Sequence, residues 1–437
     1  MKKALRKIVT IALSFAMLGS VTAMAAACGG DDDNTLLYWC FDSAMGQQIK
    51  DYYIDTQELD YEIEVEVIDL TSLQNRLDSG LRTGKNLPDV VALEAGAFKR
   101  YMDGDLMENL DDLKAEVADD MYDYTIEAAT GDDGSLYALA TNVTPVVFAY
   151  KRPIAEAVFG TDDPAEIQKH FDTWEHFIQS ARTLDEAGYK VTSSYMDMSK
   201  VFFGGRSQGW VNEDNELVID PILTDGDYSL MEVAKTLKEE DLTHDQAENS
   251  GTWYSDISGD LVFGYFQATW GIETNLERNA VSSDGSGDTY GDWAIVQGPA
   301  SAYEGGTFHC VVKGTNMLEE AKDLVKFFST DPTYLENWAK ENNDFMNSKS
   351  IMKKLADDTT LASEFLGGQN PYSIYIAAAE NIDGSIITQY DSTINAQFKS
   401  WATNYAEGGL EGATTIAAAV DEFKAALKNI YQDITIS

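Results

Sequence analysis

Hydrophobic positions along this chain recur with two different periods. The run 36–41 is short and continuously apolar, the pattern of a buried first strand. Residues 43–53 follow with the spacing of an amphipathic helix. The stretch 61–70 alternates, with Tyr61, Ile63, Val65 and Val67 on one side, and reads as a half-exposed strand. Residues 72–83 are again helical, and 87–93 form a third strand introduced by Pro88. A further helix starts at 97–102, and 106–113 caps the unit. Strands separated by helix-length segments imply parallel pairing through crossover helices. Ligands of such sheets sit beyond the carboxyl ends of the strands. That points to Asp42 and Ser43 after the first strand, and to Glu94 and Ala95 after the third. Helix N-capping and plain solvation are the competing roles for the two carboxylates.

The pattern changes at 132–152. A turn with Gly131 and Gly134 leads into two strand-like runs, 136–140 and 146–150, separated by Thr141, Asn142, Val143, Thr144 and Pro145. Pro145 cannot donate to a ladder and biases Thr144 toward extended backbone. A strand that stops and resumes can leave one domain and enter another. The polar step would then lie in the cleft between them, with Asn142 and Thr144 facing a ligand. An ordinary edge-strand irregularity is the competing reading.

Further on, Asp172 and Glu175 have the spacing of a capping box. Gly204, Gly205 and Gly209 mark a loop carrying Arg206, 210–219 reads as a hairpin, and 228–240 is helical. The segments 257–264 and 265–269 lead to Trp270, and a strand with Trp293 covers 290–298. Glu304, Gly305 and Gly306 precede the apolar run 308–312. From 349 onward the chain is helical with aromatic interruptions, ending in an Ala-rich amphipathic helix at 415–431. The loop 284–288 is acidic but lacks the ligand spacing of a calcium loop.

Composition narrows the class. At 437 residues the chain suits two or three domains. Its 44% hydrophobic content, with 18 Phe, 22 Tyr and 8 Trp, is that of a folded globular protein. A net charge of −43 disfavours nucleic acid, which requires a basic stripe, and fits a solvated surface facing an open medium. The N-terminus carries Lys2, Lys3, Arg6 and Lys7, then an apolar run to Ala27, then Cys28. This is the layout of a secretory signal peptide over 1–27. Its Ala-Ala-Ala-Cys ending resembles a bacterial lipoprotein site, with Ala25 where Leu is usual; the resemblance implies a lipidated Cys28, a tether over 28–34 and anchoring to the cell membrane from outside. Ordinary signal cleavage near Ala27 is the alternative. Cys40 and Cys310 lie in apolar strand-like runs and are expected to be buried free thiols.

Several motifs, in order, carry a family resemblance. Gly-Ser-Leu-Tyr-Ala-Leu (134–139) with Phe-Ala-Tyr-Lys-Arg (148–152) resembles a hinge-crossing segment of the extracellular solute-binding proteins of bacterial ABC importers, the carbohydrate-binding group that includes the maltose-binding protein. Ala140 and Lys151 depart from that family's usual Pro and Asn. Leu-Pro-Asp-Val-Val-Ala-Leu (87–93), Gly-Asp-Leu-Met-Glu-Asn-Leu (104–110) and the helix 318–329 resemble the same group. The resemblance implies an α/β, two-lobed periplasmic-binding-protein-like (type II) fold with a ligand cleft and three hinge crossings. Lobe 1 would hold 35–142 and 309–347, and lobe 2 would hold 143–308 and 348–437. It implies a sugar or oligosaccharide as ligand, membrane permease subunits as partners, a monomer, no cofactor and no metal. It carries Asp42 and Glu94 over as sugar-binding positions. Trp270 becomes the stacking plate, for which core packing is the alternative. Glu304 and Gly305 stand at the second crossing, Asp344 near the third, and Gln389 and Tyr390 in the closing helices facing the cleft.

Enzyme signatures are lacking. The four histidines have no metal-ligand spacing, and there is no HExxH, phosphate loop or GxSxG turn. An exported glycan-active enzyme with an acid/base carboxylate pair stays open, as does a polyamine binder of the same fold. A ferric binder would use paired tyrosines, with Tyr372 and Tyr375 as candidates.

Overall fold

The computed structural model describes residues 34–102, 104–409 and 412–437. The expected signal peptide, Cys28 and nearly all of the expected tether lie outside the described residues. Among the described residues no helix is long and apolar enough to cross a membrane.

Among the described residues, eight strands form two sheets. The first contains β1 (Thr35–Cys40), β2 (Glu62–Val67), β3 (Val90–Glu94), β4 (Leu139–Ala140) and β8 (Thr307–Val311) in the order β2-β1-β3-β8-β4. β1 pairs in parallel with both β2 and β3, as the helix-length connections require. β8 runs antiparallel to both β3 and β4. Strand order reverses between β1 and β3, so the crevice at their carboxyl ends is a topological switch point. The alternating run forms the edge strand β2, while the continuously apolar runs fill the interior.

The second sheet contains β5 (Val146–Lys151), β6 (Gly264–Ala268) and β7 (Trp293–Val296) in the order β6-β5-β7, all antiparallel. β5 is central and buried along its whole length. Its side chains alternate between two cores. Val147 and Ala149 join the core of the first sheet, together with Tyr375 from the helix Tyr372–Ala379. Phe148 and Tyr150 join a second core with Phe171, Phe202 and Phe398.

Between the sheets the chain passes twice, through 141–145 and 297–306, and a third segment, 343–347, runs hydrogen-bonded beside the first. Thr141 N donates to Thr307 O at 3.1 Å, Glu304 N to Thr144 O at 3.1 Å and Val146 N to Ala302 O at 2.8 Å. On the other side of the same segment, Val143 N donates to Phe345 O at 2.8 Å and Asn347 N to Thr141 O at 2.9 Å. The backbone groups that Pro145 and the polar step remove from either sheet are thus satisfied by the neighbouring segments.

Some local boundaries differ from the sequence reading. The helix expected to be capped by Asp172 starts one residue later, at Trp174, with Thr173 as N-cap accepting from His176 N. Asp172 closes the preceding helix Pro164–Phe171 and its carboxylate bonds His176 Nδ1 at 2.6 Å instead. Within the region expected to be helical from 349 onward, the helix after Tyr390 starts at Asp391, because Gly384–Ile386 forms a separate 3₁₀ turn and the Thr388 hydroxyl bonds the Asp391 carboxylate at 2.5 Å. Residues 43–53 are α-helical only to Gln48 and continue as a wider π-helical segment, Ile49–Ile54. Cys40 and Cys310 are buried free thiols, on strands separated by β3.

Candidate ligand-binding cleft

Two cavities open where the crossings meet the carboxyl ends of β1 and β3, and Glu94 and Gly305 line both. The first, of about 430 Å³, is walled by Phe41, Met45, Trp270, Tyr334 and Trp338, with Asp42, Asn142, Glu273 and Asp344 among its polar groups. The second, of about 310 Å³, is lined by charge: Lys200, Arg206 and Lys399 against Glu94, Glu248, Glu304 and Asp391.

Trp270 stands at the junction. It sits in the short helix Thr269–Gly271 that ends β6, is 38% exposed, and its Nε1 donates to the Glu304 carbonyl at 2.9 Å. The indole is therefore fixed in orientation while part of it stays open. The Gly-Gly step makes this possible. Gly305 and Gly306 have φ of 74° and 112°, and a Cβ on Gly305 would lie 3.0 Å from Trp270 Nε1.

Asp42 and Glu94 both line the aromatic cavity, and both also cap the helices that follow their strands. Asp42 accepts from Ala44 N at 2.6 Å and Glu94 from Gly96 N at 2.8 Å. Burial, with the Glu304 charge adding, pushes the Glu94 carboxyl up to about 7. Asn142 uses its Oδ1 to accept from Thr307 N at 3.1 Å and keeps its place in the lining. Asp344 also lines this cavity and accepts from Phe345 N at 2.8 Å; burial raises its pKa. Behind them His309 bridges Tyr38 and Thr141, and burial lowers it to about 3, so it is neutral at physiological pH.

Four expected residues are placed elsewhere, and of these Gln389 lines neither cavity. Thr144 is fully buried, and its hydroxyl donates to Gly305 O at 2.9 Å, tying two crossings together. Ser43 lines neither cavity; it is an exposed first-turn residue of its helix. Tyr390 points away from both cavities, its hydroxyl donating to Asp433 at 3.0 Å and its ring packing edge-on to Tyr431. The late start of its helix puts Asp391, rather than Tyr390, on the cleft side.

The charged cavity was not foreseen. Glu248 receives Lys200 and Lys399, each at 2.7 Å, and Lys200 also faces Glu304 Oε2 at 3.2 Å without a hydrogen bond forming there. Burial alone would discharge Lys200, but Glu304 and Glu248 outweigh it and hold its pKa up. Arg206 pairs with Asp391 at 2.9 Å, both nearly inaccessible, and Arg206 Nη1 has no partner. Of its charged residues, Glu94 and Glu304 were expected at the site and Arg206 was marked only by its flanking glycines, while Lys200, Glu248, Asp391 and Lys399 carried no signal in the sequence. No group of three or more His, Cys, Asp or Glu among the described residues is arranged to hold a metal ion.

A cleft built on a switch point, bounded by two passes between the sheets and a third segment bonded alongside them, and lined from both sheets, has the architecture of a two-lobed type II binding protein. Residues 48–365 match the profile of the bacterial extracellular solute-binding proteins, and the chain belongs to that family. Solved structures agree on the fold. An extracellular solute-binding protein of family 1 superposes with a TM-score of 0.76 at 17% identity, covering 90% of this chain and 99% of its own. The galacto-N-biose-/lacto-N-biose I-binding protein of an ABC transporter from Bifidobacterium longum, in complex with lacto-N-biose, gives 0.70 at 16% identity over 92% and 98%. The sugar-binding protein MalE from Xanthomonas citri gives 0.71 at 15% over 91% and 97%. No curated protein matches the chain by sequence.

Proposed function

We propose that this protein captures a sugar or oligosaccharide between its two sheets and delivers it to the permease of an ABC importer. The observation that carries this reading is Trp270, a part-exposed indole held by its own N–H at the mouth of an aromatic cavity ringed by carboxylates. A pyranose has an apolar face and a belt of hydroxyls, so it needs an aromatic plate and polar partners together. Trp338 and Tyr334 extend the aromatic wall, and Asp42, Asn142, Glu94 and Asp344 supply acceptors and donors. A structure of the same fold in complex with lacto-N-biose, and another of a sugar-binding protein, support the same class.

In this reading lobe 1 comprises 35–142 and 309–347, lobe 2 comprises 143–308 and 348–437, and closure about the crossings buries the ligand. Closure is favoured because the ligand touches both lobes and so binds the closed state better. No chemistry is done on the sugar. Residues 1–27 direct export, and Cys28, once lipidated, tethers a monomer to the outer side of the cell membrane.

A thermal-shift screen of the purified protein against mono- and oligosaccharides, spermidine and ferric citrate tests this. A ligand that binds only the folded state raises stability by about 2.7 kcal/mol at 100 times its dissociation constant. A saturable shift with a saccharide, lost in Trp270→Ala, is the expected result. A shift with spermidine or ferric citrate alone rejects the sugar, and breakdown of a saccharide during incubation rejects the binder.

A further inference from the structure

Beside the aromatic cavity, the charged one is too elaborate for a neutral hydroxyl belt. Its three cations meet four carboxylates, and each cation is already engaged: Lys200 and Lys399 with Glu248, Arg206 with Asp391. Among the described residues this leaves Glu94 with no cation and only one hydrogen bond, from Gly96 N. Glu304 has Lys200 opposite, but its Oε2 is buried with no hydrogen-bond partner. Gly305 sits beside Glu94, where a Cβ on it would lie 3.9 Å from Glu94 Oε1, and Glu94 and Glu304 both line the charged cavity. A second, independent vacancy is of opposite polarity. Arg206 lines the same cavity, is 4% exposed, and its Nη1 has no partner.

The cavity therefore asks for a cationic donor near Glu94 and Glu304 and an acceptor oxygen near Arg206. Glu94 lines both cavities, so the rest of the ligand continues toward Trp270. We infer that the ligand is a saccharide with a free amine, its ammonium between Glu94 and Glu304 and a hydroxyl oxygen accepting from Arg206. This rests on the sugar-binding reading and narrows it to amino sugars. An anionic sugar would place its charge against Glu94, which has no cation among the described residues, and Glu304, which shares Lys200 with Glu248. The raised proton affinity of Glu94 agrees, since an uncompensated buried acid beside Glu304 gains most from an incoming cation.

The test is isothermal titration of the purified protein with glucosamine, galactosamine, mannosamine and their short oligomers. Each is compared with its N-acetylated and its hydroxyl counterpart, and spermidine is included. At least one free-amine saccharide should bind tighter than both counterparts by about tenfold or more, the size expected of a charge-assisted pair in a shielded site. Glu94→Gln, which keeps an acceptor for Gly96 N, should remove that margin. Thermal unfolding of the variant checks that it is folded. Equal or tighter binding of the N-acetylated or hydroxyl forms overturns the amino-sugar inference while leaving the sugar reading in place. A margin unchanged in Glu94→Gln overturns the assignment of the acid. Failure of every amino sugar to bind overturns the inference outright, and binding of spermidine with no saccharide removes the sugar reading beneath it.

Discussion

The two halves of the cleft are built from different parts of the chain and by different physics. The aromatic half draws on strand ends and crossings, places whose position the fold dictates. Its walls are large rings whose contact area is gained at little entropic cost. The charged half draws on Lys200, Arg206, Glu248, Asp391 and Lys399, scattered over helices and loops of the second core, and its shape depends on ion pairs taken out of water. The aromatic half can lose a ring and still fold. The charged half is a set of mutual obligations, and removing one partner strands the others.

The largest effect should therefore come from the charged half. Lys200→Met leaves Glu248 and Glu304 without their shared cation, and we expect a loss of about 3–5 kcal/mol in urea unfolding. A loss below about 1 kcal/mol would mean that the ion pairs are as dispensable as surface ones.

In the aromatic half, Trp270→Ala should weaken ligand by about 2–3 kcal/mol, roughly 30- to 150-fold, and change unfolding stability far less. Titration calorimetry beside urea unfolding reads both sides of that contrast.

Glu94 links the halves and should give the fold a pH dependence. Its folded pKa lies above the ordinary carboxylate value, at about 7, so the native state holds its proton more tightly than the unfolded chain. Its contribution is fully present below the unfolded pKa of about 4.5 and is lost as pH rises through about 7, on the order of 1–3 kcal/mol. Unfolding midpoints across that window should fall with pH in the wild type, and the Glu94 share of that fall should vanish in Glu94→Gln.

Gly305→Ala should cost about 1–2 kcal/mol of stability and displace the Trp270 indole, through its positive φ and the 3.0 Å approach to Nε1. The smallest effect belongs to Tyr390→Phe. It removes one exposed hydrogen bond to Asp433 and should leave affinity within about twofold of wild type.

How much of this was legible depends on whether the signal was local. The strand-stop-strand pattern around Pro145 marked the passage between sheets, because a proline and a polar step interrupting two apolar runs have few other uses. Asp42 and Glu94 followed from the switch-point rule, and their N-cap roles, set out as the alternative, hold alongside their place in the cavity lining. Trp270 could be singled out because it closes an apolar strand. Tyr390 was misplaced because a break at Ile387 shifts the helix start by several residues, which turns its face, and periodicity does not reveal such a break. Trp338 and Tyr334 were not singled out, since an aromatic at helical spacing reads the same from either side of a cavity wall. In the charged half, Glu94 and Glu304 were named from the strand end and the crossing, but the residues that pair across it had no pattern to find. Lys200 meets Glu248 and Lys399 only after the second core has assembled, and nothing in the intervening sequence encodes the meeting.

The central claim is that a saccharide is held in the cleft against Trp270. Titration calorimetry of wild type and Trp270→Ala with a broad saccharide panel tests it most directly. The account predicts saturable one-site binding of at least one saccharide to the wild type, weakened roughly 30-fold or more in the variant. Silence across the panel, or equal affinity in the two proteins, would contradict it.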